Sequence, residues 1–61
     1  MNKAVYHITD FAPHYYNVRI LTQAPDHKWF YSGVGRFCTT WTEAVAFCKY
    51  YNCTVIEREE V

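Results

Sequence analysis

The chain has no net charge: six lysines and arginines stand against six aspartates and glutamates. That balance withholds the electrostatic pull of a strong nucleic-acid binder. No apolar run approaches the roughly 18 residues of a membrane helix, so no membrane span is expected. No Lys-led apolar stretch runs into a small-residue cleavage site, so no export signal is expected. Glycine and proline are scarce, two of each in 61 residues. No linker, low-complexity tract or internal repeat interrupts the sequence. One domain over residues 1–61 is expected, with no room for a nucleotide-binding fold or another large catalytic scaffold. There are only three cysteines, Cys38, Cys48 and Cys53. An odd and sparse set does not build the disulfide framework of a small secreted domain. Free thiols in a reducing cytoplasm are therefore expected.

What is present is apolar and aromatic. Hydrophobic residues make up 51% and aromatics 20% of the chain, which excludes a disordered tail. A chain of this length buries only about 60% of its unfolded surface. Small domains add a staple, a partner or an unusually rich core. The supplement here is rings: two Trp, six Tyr and four Phe. They exceed what one small core needs. Some must lie on the surface, where aromatic patches mark contact sites.

Ala4 to Phe11 is rich in β-branched and aromatic residues and reads as a strand after a short leader, Met1 to Lys3. Pro13 ends it. Tyr15 to Gln23 alternates clearly. Tyr16, Val18, Ile20 and Thr22 point to one face, and Tyr15, Asn17, Arg19, Leu21 and Gln23 to the other. Ala24-Pro25-Asp26-His27 reads as a turn, because Pro25 presets φ and Asp26 favours turns. Lys28 to Ser32 is the return strand, after which Gly33 and Gly35 punctuate the chain and free the backbone for a bulge or bend. Thr40-Trp41-Thr42-Glu43 has capping-box spacing. It opens a helix from Trp41 to about Tyr51. Trp41, Ala44, Val45, Cys48 and Tyr51 form its buried stripe and Phe47 flanks it. Asn52 is a left-handed stop, and Cys53 to Glu59 a last strand. The expected fold is α+β: a small, mostly antiparallel sheet of three to four strands with one helix on one face, in the order β-β-β-α-β. The other sheet face then has no cover within the chain.

No catalytic set emerges. Cys38 precedes a helix N-terminus, but no His lies near it in sequence and nothing marks an oxyanion hole. Asp26 belongs to a turn and Glu43 to a cap. Glu57, Glu59 and Glu60, interrupted by Arg58, read as a solvated edge. His7, His14 and His27 are scattered. The cysteine spacings lack a CxxC knuckle. The expectation is a protein that is not an enzyme, with no cofactor and no metal. A thiol or zinc site built on Cys38, Cys48 and Cys53 is an alternative. A second alternative is a nucleic-acid module using the 15–36 hairpin, where Tyr15, Trp29 and Tyr31 stack and Arg19, Lys28 and Arg36 meet phosphates.

Trp29, Gly35, Phe37, Thr39, Glu43 and Ala44 carry a local resemblance. The segment from Trp29 to Ala44 resembles the end of the arm-binding domain of phage integrases, where a Trp-bearing strand and a Gly-Phe-Thr stretch lead into a helix. That resemblance implies DNA binding. In length and lack of catalytic parts the whole chain resembles small accessory proteins of bacteriophages and prophages. This implies a non-catalytic protein-binding module, a modulator or inhibitor of a host protein acting by occlusion. The residues expected to meet the partner are Tyr15, Arg19, Trp29, Tyr31 and Tyr50, with Trp41 assigned to the core. The partner is a protein or a second copy of the chain, giving a homodimer.

Overall fold

A computed structural model of the chain describes residues 1–10 and 15–60. Four strands and one helix follow in order: Asn2–Thr9 (β1), Tyr15–Gln23 (β2), Trp29–Cys38 (β3), Trp41–Tyr50 (α1) and Cys53–Arg58 (β4). The strands form one sheet in the spatial order β3-β2-β1-β4. β1 and β2 pair antiparallel, as do β2 and β3, while β1 and β4 run parallel. The chain thus leaves the sheet at one edge and returns, through α1, at the other. This is the α+β, β-β-β-α-β arrangement that the sequence leads one to expect.

β1 begins at Asn2 rather than Ala4, so the expected leader is part of the sheet. Asn2 and Lys3 pair with Thr22 and Leu21. The polar Asn2 is held there by its own side chain. Its Nδ2 donates to the Tyr51 carbonyl at 3.0 Å, and its Oδ1 accepts from the Thr22 hydroxyl at 3.1 Å. One residue therefore ties the start of β1 to β2 and to the end of α1, and tertiary contacts override a poor strand propensity. The strand closes at Thr9. Asp10, expected in the strand, lies beyond its end, while Phe11 and the connection over Ala12, Pro13 and His14 lie outside the described residues.

The 24–27 turn forms as expected. The Ala24 amide donates to the Lys28 carbonyl at 2.8 Å and the His27 amide to the Ala24 carbonyl at 2.9 Å. The Asp26 carboxylate accepts from the Lys28 amide at 3.1 Å. His27 takes a positive φ of 69°. β3 does not stop at Ser32 but runs on to Cys38. Of the bulge or bend expected at the glycines, the strand takes the bulge: Leu21 faces Tyr31 and Arg19 faces Gly35, so Ser32, Gly33 and Val34 stand opposite Ile20 alone. Gly33 has φ +90°, open to glycine. The Ser32 hydroxyl stitches the bulge, donating to the Ile20 carbonyl at 2.7 Å and accepting from the Val34 amide at 3.3 Å.

α1 starts at an N-cap. The Thr40 hydroxyl accepts from the Glu43 amide at 3.1 Å. Glu43 reaches back one residue further than a capping box requires: its carboxylate accepts from the Thr39 amide at 3.0 Å and the Thr39 hydroxyl at 2.8 Å. Asn52, at φ 55°, is the left-handed stop.

The core is Ala4, Val18, Ile20, Cys38, Ala44 and Cys48, with Tyr6, Tyr16, Val34, Phe47, Tyr51, Cys53 and Ile56 packed around it. α1 therefore covers the sheet face that carries Tyr16, Val18 and Ile20. The helical stripe is rotated from the expected one. Ala44, Phe47, Cys48 and Tyr51 face the sheet, and Trp41, expected in the core, stays 42% exposed. Trp41 sits at the rim, where its ring meets Tyr6 at 5.1 Å and Tyr16 at 5.5 Å. Among the described residues the fully buried side chains are small or medium, Ile20, Val18 and Cys38 the largest, and no ring is buried.

Candidate interaction surface

Among the described residues nothing forms a layer over the second sheet face. Because paired residues share a face, the β1–β2 and β2–β3 registers place Lys3, Val5 and His7 of β1, Tyr15, Asn17, Arg19 and Leu21 of β2, and Trp29, Tyr31, Gly35 and Phe37 of β3 together on it. Four of the five expected contact residues, Tyr15, Arg19, Trp29 and Tyr31, are thus brought to one surface. Tyr50 is not. It lies on α1, on the opposite side of the sheet, 77% exposed beside a groove of about 390 Å³ lined also by Arg36, Glu43, Phe47 and Tyr51.

The open face has two halves. The β2–β3 half is aromatic. Tyr15 and Phe37 meet edge to face at 6.3 Å. Tyr31 and Phe37 are 51% and 59% exposed. Tyr31 lies along the sheet over Gly35, with its hydroxyl 2.9 Å from where a Cβ of that glycine would stand. The β1–β4 half is charged and closed on itself. Lys3 pairs with Glu57 at 3.3 Å, and its ammonium sits 4.9 Å over the Trp29 ring. Arg19 pairs with Glu59. Between the halves Val5 is buried although no layer covers it.

Phe37 is not among the expected contact residues, because the return strand is expected only over Lys28 to Ser32 and the sequence does not say whether the glycines bulge or bend the chain. Once β3 continues, the bulge adds two residues and keeps the alternation, so Phe37 joins Trp29 and Tyr31. Arg36, expected on phosphates beside Arg19, alternates to the helix side. It pairs with Val18 in the sheet and stands 3.8 Å from Glu43. Hydrogen bonds from Thr39 hold the Glu43 carboxyl below its usual range, and Arg36 adds to this.

The three cysteines are free. Cys38 and Cys48 are buried in the core and Cys53 is half-buried beside it. Burial pushes the Cys48 thiol up to about 11, helped by Cys53 and Cys38 nearby. Burial also raises Cys38 and Cys53. These thiols stay protonated near neutrality, the opposite of what a nucleophile or ligand needs. Among the described residues, no group of three or more His, Cys, Asp or Glu is placed to hold a metal ion, and no helix is long and apolar enough to cross a membrane. No protein-family model, curated protein or solved structure matches the chain.

Proposed function

We propose that the chain is a non-catalytic protein-binding module that works through its open sheet face, as a small modulator or inhibitor of a host protein in the manner of phage accessory proteins. One observation carries the reading: Tyr15, Trp29, Tyr31 and Phe37 share an uncovered face whose cations are already paired with carboxylates. Rings on a rigid sheet fill pockets at low entropic cost, and such anchors carry most of the energy of a protein interface. Occlusion needs nothing further from this chain.

The same pairing weakens the nucleic-acid reading. Phosphates would have to displace Glu57 from Lys3 and Glu59 from Arg19, and Arg36 faces away from the rings. The thiol or zinc reading is weakened by the burial of Cys38 and Cys48.

The test is capture from a nuclease-treated bacterial lysate on immobilised protein. Wild type is expected to retain a defined protein, and Trp29→Ala and Tyr31→Ala variants to lose it while keeping their circular dichroism. Retention of nucleic acid before nuclease treatment, with no protein left after it, would overturn the reading.

A further inference from the structure

We infer that Cys48 and Cys53 are an oxidative modification site, joined by a reversible disulfide that staples the end of α1 to the edge strand β4. This goes beyond the protein-binding reading and does not depend on it.

The first support is the geometry of the helix end. Tyr51 is the C-cap of α1, and Asn52, at φ 55°, is the left-handed residue after it. The Asn52 amide donates to the Lys49 carbonyl at 3.1 Å, and the Tyr51 amide to the Cys48 carbonyl at 3.2 Å. Asn52 thus makes one of the two bonds of a Schellman turn. In such a turn the side chains of the third residue before the cap and the second after it lie against each other. Here those residues are Cys48 and Cys53.

The second support is the core. Cys48 is buried on the sheet-facing side of α1, and Cys53 packs against the same cluster from β4. Both are free thiols. Burial raises the Cys48 thiol, and Cys53 adds more to that rise than Cys38 does, which agrees with a nearer sulfur. Cys38 is no partner for Cys53, because β3 and β4 form opposite edges of the sheet. Three strand spacings of about 4.8 Å separate them, roughly 14 Å, whereas a disulfide needs Cα atoms within about 7 Å.

The third support is access. Cys38 and Cys48 are buried while Cys53 is half-buried, so a small oxidant reaches one sulfur of the pair first. That oxidant is hydrogen peroxide. The Cys53 thiolate attacks one peroxide oxygen and the O–O bond breaks. The sulfur is oxidised to a sulfenic acid. The other oxygen leaves as hydroxide and becomes water with the proton the thiol gave up. The Cys48 sulfur then attacks the Cys53 sulfur from within the core, needing no access of its own. The S–S bond forms, the S–O bond breaks, and hydroxide leaves with the Cys48 proton as a second water. Two thiols and one hydrogen peroxide thus give one disulfide and two waters. The bond lies on the closed side, across the sheet from Tyr15, Trp29, Tyr31 and Phe37, and leaves those rings free.

Mass spectrometry of the purified, reduced chain after hydrogen peroxide tests this, at mildly alkaline pH where a fraction of each thiol is ionised. The chains compared are wild type, Cys53→Ser, Cys48→Ala and Cys38→Ala, and near-ultraviolet circular dichroism reports whether each is folded. Trypsin cuts after Arg36, Lys49 and Arg58. The non-reduced digest of wild type should join peptide 37–49 to peptide 50–58 at their summed mass less two hydrogens, from a chain that stays monomeric. Dithiothreitol should separate them. Cys38→Ala should give the same join, which leaves Cys48 as the partner. Cys53→Ser and Cys48→Ala should give none. If Cys38→Ala does not fold, fragmentation of the joined wild-type peptides assigns the partner sulfur. A chain that stays reduced, gains oxygen at Cys53 without closing the bond, closes it between Cys38 and Cys48, or links to a second chain overturns the site.

Discussion

Gly35 is the residue on which the shape of the open face depends. A Cβ there would stand 2.9 Å from the Tyr31 hydroxyl and 3.1 Å from the Val18 carbonyl. The ring can swing away, but the carbonyl belongs to β2. Gly35→Ala is therefore expected to lift Tyr31 from the sheet and cost about 1–2 kcal/mol, as overpacking does, read as a lower urea midpoint. Cys48 makes a second prediction. Burial raises its thiol from the ordinary 9.0 to about 11, so the folded chain holds a proton that the unfolded chain releases. Its contribution to stability is complete below pH 9 and is lost as pH rises to about 11. The melting temperature should fall across that window, and fall less steeply in Cys48→Ala, which has no proton to lose there. At pH 8 a thiol reagent should label Cys53 first, with Cys38 and Cys48 reacting only on unfolding, because Cys53 alone is not fully buried.

At the scale of elements, the ends of β1 and α1 meet on Asn2. Its side chain bonds the Tyr51 carbonyl and the Thr22 hydroxyl, so Asn2→Ala breaks two tertiary hydrogen bonds at once. A loss of about 1–3 kcal/mol is expected in urea unfolding, at about 0.5–1.5 kcal/mol per bond. Thr40→Ala should cost about 1 kcal/mol by removing the N-cap. These elements also show what a sequence can and cannot tell. β2 was legible residue by residue, since Tyr15 to Gln23 alternates without interruption. The Thr40 cap and the Asn52 stop were legible because each is a local, chemically defined signal. The start of β1 was not, because Asn2 and Lys3 join the sheet through partners some 20 to 50 positions away, Thr22 and Tyr51. The length of β3 was not, because a glycine marks a bulge as readily as an end, and only the pairing with Arg19 and Leu21 decides. Of the expected contact residues, Tyr15, Arg19, Trp29 and Tyr31 share one face, which Phe37 joins beyond Gly35, while Tyr50 stands on the helix across the sheet.

At the scale of the whole molecule, the arrangement is a sheet with one side closed and one side open. The closed side holds the aliphatic core, two thiols and the rings of Tyr6, Tyr16, Phe47 and Tyr51, and the open side holds the rings of Tyr15, Trp29, Tyr31 and Phe37 with self-paired charges. In the proposed function the four open-face rings contact a partner. The most direct test places a photo-crosslinking amino acid at Phe37 in the expressed chain, with the same group at Tyr50 as the control, and irradiates living cells. The account predicts that position 37 yields a discrete adduct that protease destroys and nuclease does not, while position 50 yields none. An adduct to nucleic acid at position 37, or protein adducts from position 50 alone, would contradict it.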